Sequence, residues 1–413
     1  MTDALPAPSA PFDVAVVGAG PSGLAAALHL ARSGFRTVSI APKSPPEDQR
    51  TTALLGSSVG LLQHLGVWDA LAARGAALRT MRLVDVTGRL VRAPEVAFHA
   101  REIERDSFGV NVMNRDITDV LSTAAAETPG LTRLEGTVET VTIGERLVRL
   151  ETGAGAVVEA RVAVAADGRR SRLREAAGIG IDTWTYPQSA LVLNAATEAA
   201  HDEISTEFHG PNGPYVLVPL PGRMVSIVLI EKPEAAEALN ALSDEDLGRE
   251  LERRAHSLLG RMTVVGPRQV YPLSGLTAKA FGRNRVALVG ETAHVFPPVG
   301  AQGLNLSLRD VGHLAEALVR ARRSGQDIGG AETLAAYDRM RRPDVKSRTL
   351  GVDIADRALL SDLLPAQIAR SLGLALADRI APLRRLIMRE GLAPSFLTPR
   401  VMRPERPRRA VEP

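Results

Sequence analysis

The sequence predicts an α/β fold: a parallel-sheet domain, a separate β-sheet lobe and a C-terminal helical segment. Three observations predict it. A short apolar strand at 13–17 runs into Gly18-Ala19-Gly20-Pro21-Ser22-Gly23 and then into a helix. Two later strands of parallel type, 162–166 and 286–289, end at Asp167-Gly168 and at Gly290-Glu291. Between them, residues 183–231 alternate and are rich in Val, Leu and Ile, the pattern of a sheet with two different faces.

In chain order, residues 1–11 read as a flexible leader, because 4–11 alternate proline with small residues. Folding starts at Phe12. The strand at 13–17 is β-branched and apolar, as a strand buried on both faces must be. A helix follows at 24–32, with Gly34 where a left-handed terminating glycine belongs. A second strand at 37–40 completes a Rossmann-like βαβ unit. Residues 83–91 read as a hairpin, 117–126 as a helix, 137–159 as strands with glycine turns and 233–258 as helical. A proline- and glycine-rich loop leads into a helix from about Gln302, and 313–396 are overwhelmingly helical.

Composition narrows the function. A length of 413 residues suggests two lobes. With no cysteine there are no disulfides, thiolate nucleophiles or sulfur-held metals. The 50 basic and 47 acidic residues leave a net charge of only +3, and aromatics are 3%, so neither charge nor stacking platforms point to nucleic acid. The longest uncharged apolar stretch, 14–30, is interrupted by Gly18, Gly20, Pro21 and Gly23, so no membrane span is expected. The N-terminal residues carry Asp3 and prolines rather than a basic, apolar signal, so the expected compartment is the cytoplasm.

The turn at 18–23 carries the clearest chemistry. Gly18 permits a tight turn, Gly20 lets backbone approach a pyrophosphate, and Gly23 lets the helix lie close on the strand. The helix N-terminus then offers free N–H groups and a positive dipole to phosphates. The acidic residue expected at the end of the second strand is missing: Ala41 stands there, followed by Pro42 and Lys43. A ribose contact is therefore absent, or comes from the following loop with Glu47 and Asp48, or from another group such as Arg50.

With the sites at 165–174 and 289–305, the chain resembles the single-component FAD-dependent aromatic hydroxylases, which carry these three motifs in this order. Within them it is most similar to the ubiquinone-biosynthesis hydroxylases. The motifs that carry the resemblance are RTTAL at 50–54, GPYVLVPLPG at 213–222 and AHVFPPVGAQGLNLSLRD at 293–310. Residues 351–413, beyond these motifs, read as C-terminal helices with a basic tail. The resemblance, over roughly 12–345, implies an FAD-binding domain of 12–82, 96–182 and 270–350 and a substrate lobe of 83–95 and 183–269. It also implies FAD held by Gly18, Gly20, Pro21, Ser22 and Gly23, and by Gly290 and Glu291. Arg50 would lie along FAD or meet NADPH (or NADH). Arg115 would reach the ribityl or phosphate region, and Asp167 and Gly168 the pyrophosphate and the nicotinamide approach. The loop with Pro297, Pro298, Gly300, Gln302, Gly303, Leu304 and Asn305 would run under the flavin ring. Where the family has Asp, this chain has Glu291, one methylene longer, which implies weaker retention of FAD.

The reaction implied is hydroxylation of a polyprenylated phenol with NADPH and O2 through a flavin C4a-hydroperoxide. The cofactor carries the hard chemistry, so no strong catalytic constellation is expected. Candidate protein groups are Tyr215, which either orients a phenol or packs, His294, either a structural hydrogen-bonder or an acid–base group, and Pro298. No metal-ligand spacing surrounds His294. A hydroxylase of a soluble aromatic acid, a prenyl-lipid reductase and a non-catalytic flavoprotein scaffold are the alternatives. Leu360, Leu364, Ile368, Leu372, Leu376 and Ile380 form an i+4 stripe beside arginine clusters; it either packs on the FAD domain or meets a membrane or membrane-bound assembly.

Overall fold

The computed structural model describes residues 10–42, 48, 50–88, 94–297, 301–360, 380–392 and 398–403, with 350–360 and 390–392 described by backbone alone. Most of the leader, Pro298, Gly300, the apolar stripe from Leu364 to Leu376 and the basic tail beyond 403 lie outside the described residues.

The first sheet is built on parallel strands Phe12–Val17, Thr37–Ala41, Leu131–Glu135, Val157–Ala165 and Val286–Leu288. Phe12–Val17 lies at its middle, between Val157–Ala165 and Thr37–Ala41. The inner strands are apolar because both faces are covered; Val14, Ala15 and Val16 are wholly buried. Because the strands are parallel and in register, the turns that follow three of them, at Gly18, Gly168 and Gly290, gather at one edge. Ligands of open α/β sheets bind at such carboxyl ends. Helix Pro21–Arg32 packs behind this edge on an all-but-continuous run of buried small and aliphatic residues from Gly23 to Ala31. Helix Gln302–Arg323 crosses beside it.

The second sheet has eight strands in the order His294–Val295, Met262–Ala278, Ile181–Thr197, Met224–Glu231, Pro214–Leu220, Ile204–His209, Thr80–Asp85 and Val96–His99. Strand alternation divides its residues cleanly. Leu191, Leu193, Phe208, Tyr215, Leu217 and Ile227 bury against helices Pro233–Asn240 and Asp244–Arg254. Val192, Val216, Val218 and Val228 face the other way, toward the first sheet. A small sheet of Thr51–Leu55, Gly109–Met113 and Ala76–Ala77 joins the two lobes.

Three sequence expectations change. The strand Thr80–Asp85 pairs with Val96–His99, not with 89–91, which lie outside the described residues. The second sheet takes in Thr80–Asp85, Val96–His99 and all of Met262–Ala278, so its strands extend past 83–95 and 183–269. The helical stretch at 233–258 breaks at Ser243, whose hydroxyl accepts from the Asp246 backbone N–H (3.0 Å) and starts a new helix.

Candidate functional site

A cavity of about 1480 Å3 lies between the carboxyl edge of the first sheet and the bare face of the second. The glycine turn forms one end of it. Gly18 holds φ +111°, and a Cβ there would stand 2.2 Å from the Ala166 carbonyl oxygen. A Cβ on Gly23 would stand 2.1 Å from the Gly18 oxygen. These two glycines are therefore demanded by the protein's own backbone. Gly20 differs: nothing lies within 4 Å of its Cβ position, and it borders the cavity.

Helices Pro21–Arg32, Asn114–Ala126 and Gln302–Arg323 all begin on the cavity wall, and none is capped by a side chain. Three positive helix ends thus converge on one space. Pro21, Ser22, Gln302, Gly303, Leu304 and Pro297 line it, as does Arg115, exposed in the first turn of its helix.

Arg50 lies on the wall with its guanidinium forked onto Asp48 (2.8 and 2.7 Å) and above the Tyr271 ring, 5.9 Å from its centre. Asp48 also accepts from Asn114 (3.2 Å). Burial pushes the Asp48 carboxyl up, but Arg50 and Asn114 outweigh it and hold its pKa below the ordinary value. A carboxylate thus reaches the cavity from the loop after the second strand, although Ala41 ends that strand.

Several expected contacts turn elsewhere. The Asp167 carboxylate accepts from the Arg172 backbone N–H (3.0 Å) at the start of helix Arg172–Ala176, and Gly168 alone of the pair lines the cavity. Asn305 uses both ends of its amide on backbone, accepting from Leu55 N–H (2.9 Å) and donating to Ala53 C=O (2.7 Å). It straps the helix to the strand beneath the cavity and is not on the wall. Tyr215 sits on the helix side of its strand, 4% exposed, its hydroxyl donating to Leu251 C=O (3.2 Å). Its candidacy as a phenol-orienting group is corrected: strand alternation puts Val216 and Val218, not Tyr215, on the cavity.

Glu291 reaches across the opening to Arg169 (3.1 Å), both groups about half exposed. Glu291→Asp is expected to keep or raise FAD affinity in a fluorescence titration. The bridge given up is a solvated one, worth at most about 1 kcal/mol. A loss beyond tenfold, about 1.4 kcal/mol, would mean the Arg169 bridge itself holds the site open.

The buried acid serving Gly290 is Asp310. It accepts from Gly290 N–H (2.9 Å), His294 Nε2 (2.7 Å) and Arg341 Nε (2.6 Å). Arg341 continues to Asp344 (2.5 Å), which also accepts from Arg309 (3.0 Å). Arg341, Asp310 and Asp344 are completely enclosed. Nothing but the sequence position of Asp310 and Arg309, charges inside the buried stripe Leu306, Leu308, Val311 and Leu314, hinted at this network. Within it, the Nε2 of His294 is engaged by Asp310. His294 lines the cavity, and its Nδ1 is buried with no partner among the described residues. Among the described residues no cluster could hold a metal.

These features fit FAD. A cradle beside Gly20, three bare helix ends and an orphaned imidazole nitrogen suit a long, anionic, polar-edged ligand.

A family model described as an FAD binding domain matches residues 11–349. Ubiquinone hydroxylase UbiL of Rhodospirillum rubrum is 36% identical over 401 residues, covering 95% of this chain and 92% of that protein. The 3-demethoxyubiquinol 3-hydroxylase of Escherichia coli is 30% identical over 391 residues, covering 92% and 98%. The fold is that of p-nitrophenol 4-monooxygenase PnpA from Pseudomonas putida, with a TM-score of 0.76, 23% identity and coverage of 92% and 96%. Matched over that much of its length, and with its cavity walled by the same three glycine motifs, the chain belongs to the FAD-binding family of monooxygenases.

Proposed function

We propose that the protein hydroxylates the aromatic ring of a polyprenylated phenol in ubiquinone biosynthesis, using NADPH or NADH and O2. The observation that carries this reading is the cavity's division into two ends. One is the polar cradle of glycine turn and helix N-termini. The other is walled by Leu55, Leu78, Met81, Phe98, Phe108 and Val218, a surface for an isoprenoid tail. When bound, FAD supplies hydride acceptance and oxygen activation. The chain's own residues do the rest. The turn at 18–23 and the helix ends at 21 and 114 would hold the FAD phosphates. The helix end at 302 would favour negative charge developing on a bound flavin. The bare sheet face excludes water from the reacting ring.

The test is deletion of the gene and mass spectrometry of the quinone precursor that accumulates. A precursor lacking one ring hydroxyl is expected; unchanged ubiquinone and no accumulated phenol would reject the reading. NADPH oxidation stimulated by a phenol, with hydroxylated product, separates it from a reductase and from a scaffold.

A polyprenyl substrate resides in the bilayer, and no described helix is long and apolar enough to cross one. Helix Ala381–Leu392 supplies a docking face instead. Arg384 and Met388 turn inward, Arg384 onto Glu102 (2.6 Å) and over the Phe98 ring (4.6 Å). Ile380, Leu383, Leu386 and Ile387 stay exposed, Leu386 at 55%, beside exposed Arg385 and Arg389. Ile387 and Met388 also border the cavity, so the apolar strip leads into its mouth. An apolar strip beside cations suits an anionic membrane surface. Leu383→Ser with Leu386→Ser is expected to lower co-sedimentation with anionic liposomes several-fold while FAD binding is kept. Equal sedimentation of the variant would reject this face.

A further inference from the structure

The cavity face of the second sheet carries a register row that is apolar at Leu83, Val216, Val228 and Val192. Between Leu83 and Val216 that row carries Glu207, and beyond Val192 it ends in Gln269. Phe208 points to the helix side, so Glu207 and His209, two residues apart, share the cavity-side face. His209 Nε2 and Glu207 Oε1 are 2.9 Å apart, with side-chain exposures of 11% and 21%.

The charged neighbours have other work. Arg82, on the adjacent strand, donates to Thr206 (3.1 and 3.3 Å) and lies 4.0 Å from Glu95. Asp85, opposite His209, accepts from Thr87 (2.6 Å). Among the described residues His209 is the one side chain shown bonded to Glu207, and it engages one of the two carboxylate oxygens. A largely buried carboxylate in an apolar wall is costly to keep without partners. Neither packing nor the phosphate-binding end of the cavity explains it.

We propose that Glu207 is the acceptor for the substrate's phenolic hydroxyl, with His209 as the positioning residue that fixes the carboxylate. This rests on the phenol reading above and names the group that recognises it. The ligand class is a neutral phenol O–H arriving on an otherwise apolar ring. A hydrogen bond to a carboxylate draws the proton away from the phenol oxygen and raises electron density in the ring, which favours attack on an electrophilic oxygen. It also gives selectivity, because a site built to bond a hydroxyl rejects an analogue that lacks it.

The experiment titrates FAD-loaded protein with a short-chain prenylphenol and with its methyl ether, following the flavin absorption spectrum. Wild type is expected to prefer the phenol at least tenfold. Glu207→Val, which continues the valine row, should bring the two affinities within twofold, and Glu207→Gln should fall between. Discrimination in Glu207→Val equal to wild type overturns the assignment while leaving the phenol reading standing. Binding of neither ligand by wild type overturns both. If Glu207→Val fails to retain FAD, Glu207→Gln decides alone: an unchanged ratio overturns the assignment, and a ratio reduced at least threefold supports it.

Discussion

Gly20→Val is expected to leave a folded protein that no longer binds FAD. Gly20 has φ −69° and ψ 170°, an extended conformation any residue adopts. No protein atom lies within 4 Å of its Cβ position. The valine therefore meets no clash within the chain and projects into the space beside the helix N-terminus where a pyrophosphate would lie. A hundredfold or greater loss of FAD affinity, about 2.7 kcal/mol, should appear in a fluorescence titration with unchanged circular dichroism. Gly23→Val makes the contrast. Its Cβ would press on the Gly18 oxygen at 2.1 Å, so this variant should lose stability as well as FAD. Gly20→Val binding FAD within threefold of wild type would place the pyrophosphate elsewhere.

Asp310→Asn should destabilise the fold by about 3–5 kcal/mol, the usual cost of breaking an enclosed ion pair from one side. The substitution leaves the Arg341 guanidinium buried against Asp344 alone and weakens the hold on His294 and Gly290. The pH dependence has a definite sign. Burial pushes the Asp310 carboxyl up, but His294, Arg341 and the Gly290 N–H outweigh it and hold its pKa below the ordinary value. A folded pKa below the unfolded one means the stabilisation is complete above about pH 4 and fades as pH falls further. Urea denaturation should therefore show a gap between wild type and Asp310→Asn that is full at pH 7 and narrows in acid. A gap that widens on acidification would mean Asp310 is protonated in the native state.

Local features were the legible ones. The strand–glycine–helix turn at 18–23 was readable because its demands are met within a dozen residues: a positive φ at Gly18, a close approach at Gly23 and an open helix end. The late motif placed the start of helix Gln302–Arg323 for the same reason. Roles that depend on direction were harder. Tyr215 and Val216 are neighbours in sequence, yet one packs on helix Asp244–Arg254 and the other faces the cavity. Pairing register decides which is which, and a shift of one residue reverses it. Asn305 carries the right chemistry for a ligand, but backbone groups of the strand Thr51–Leu55, some 250 residues away in sequence, claim it first.

By itself, then, the sequence determined the α/β class, the order of the three glycine turns and the kind of ligand they cradle, because turn geometry and helix ends are short-range physics. Only the tertiary structure decided which charges serve the site. Asp310 meets Gly290 and Arg341 across separations of 20 and 31 residues. Glu207 reaches the cavity only because five strands pair in one register. A charge finds its partner through packing that brings distant segments together, and no local pattern of residues encodes that distance.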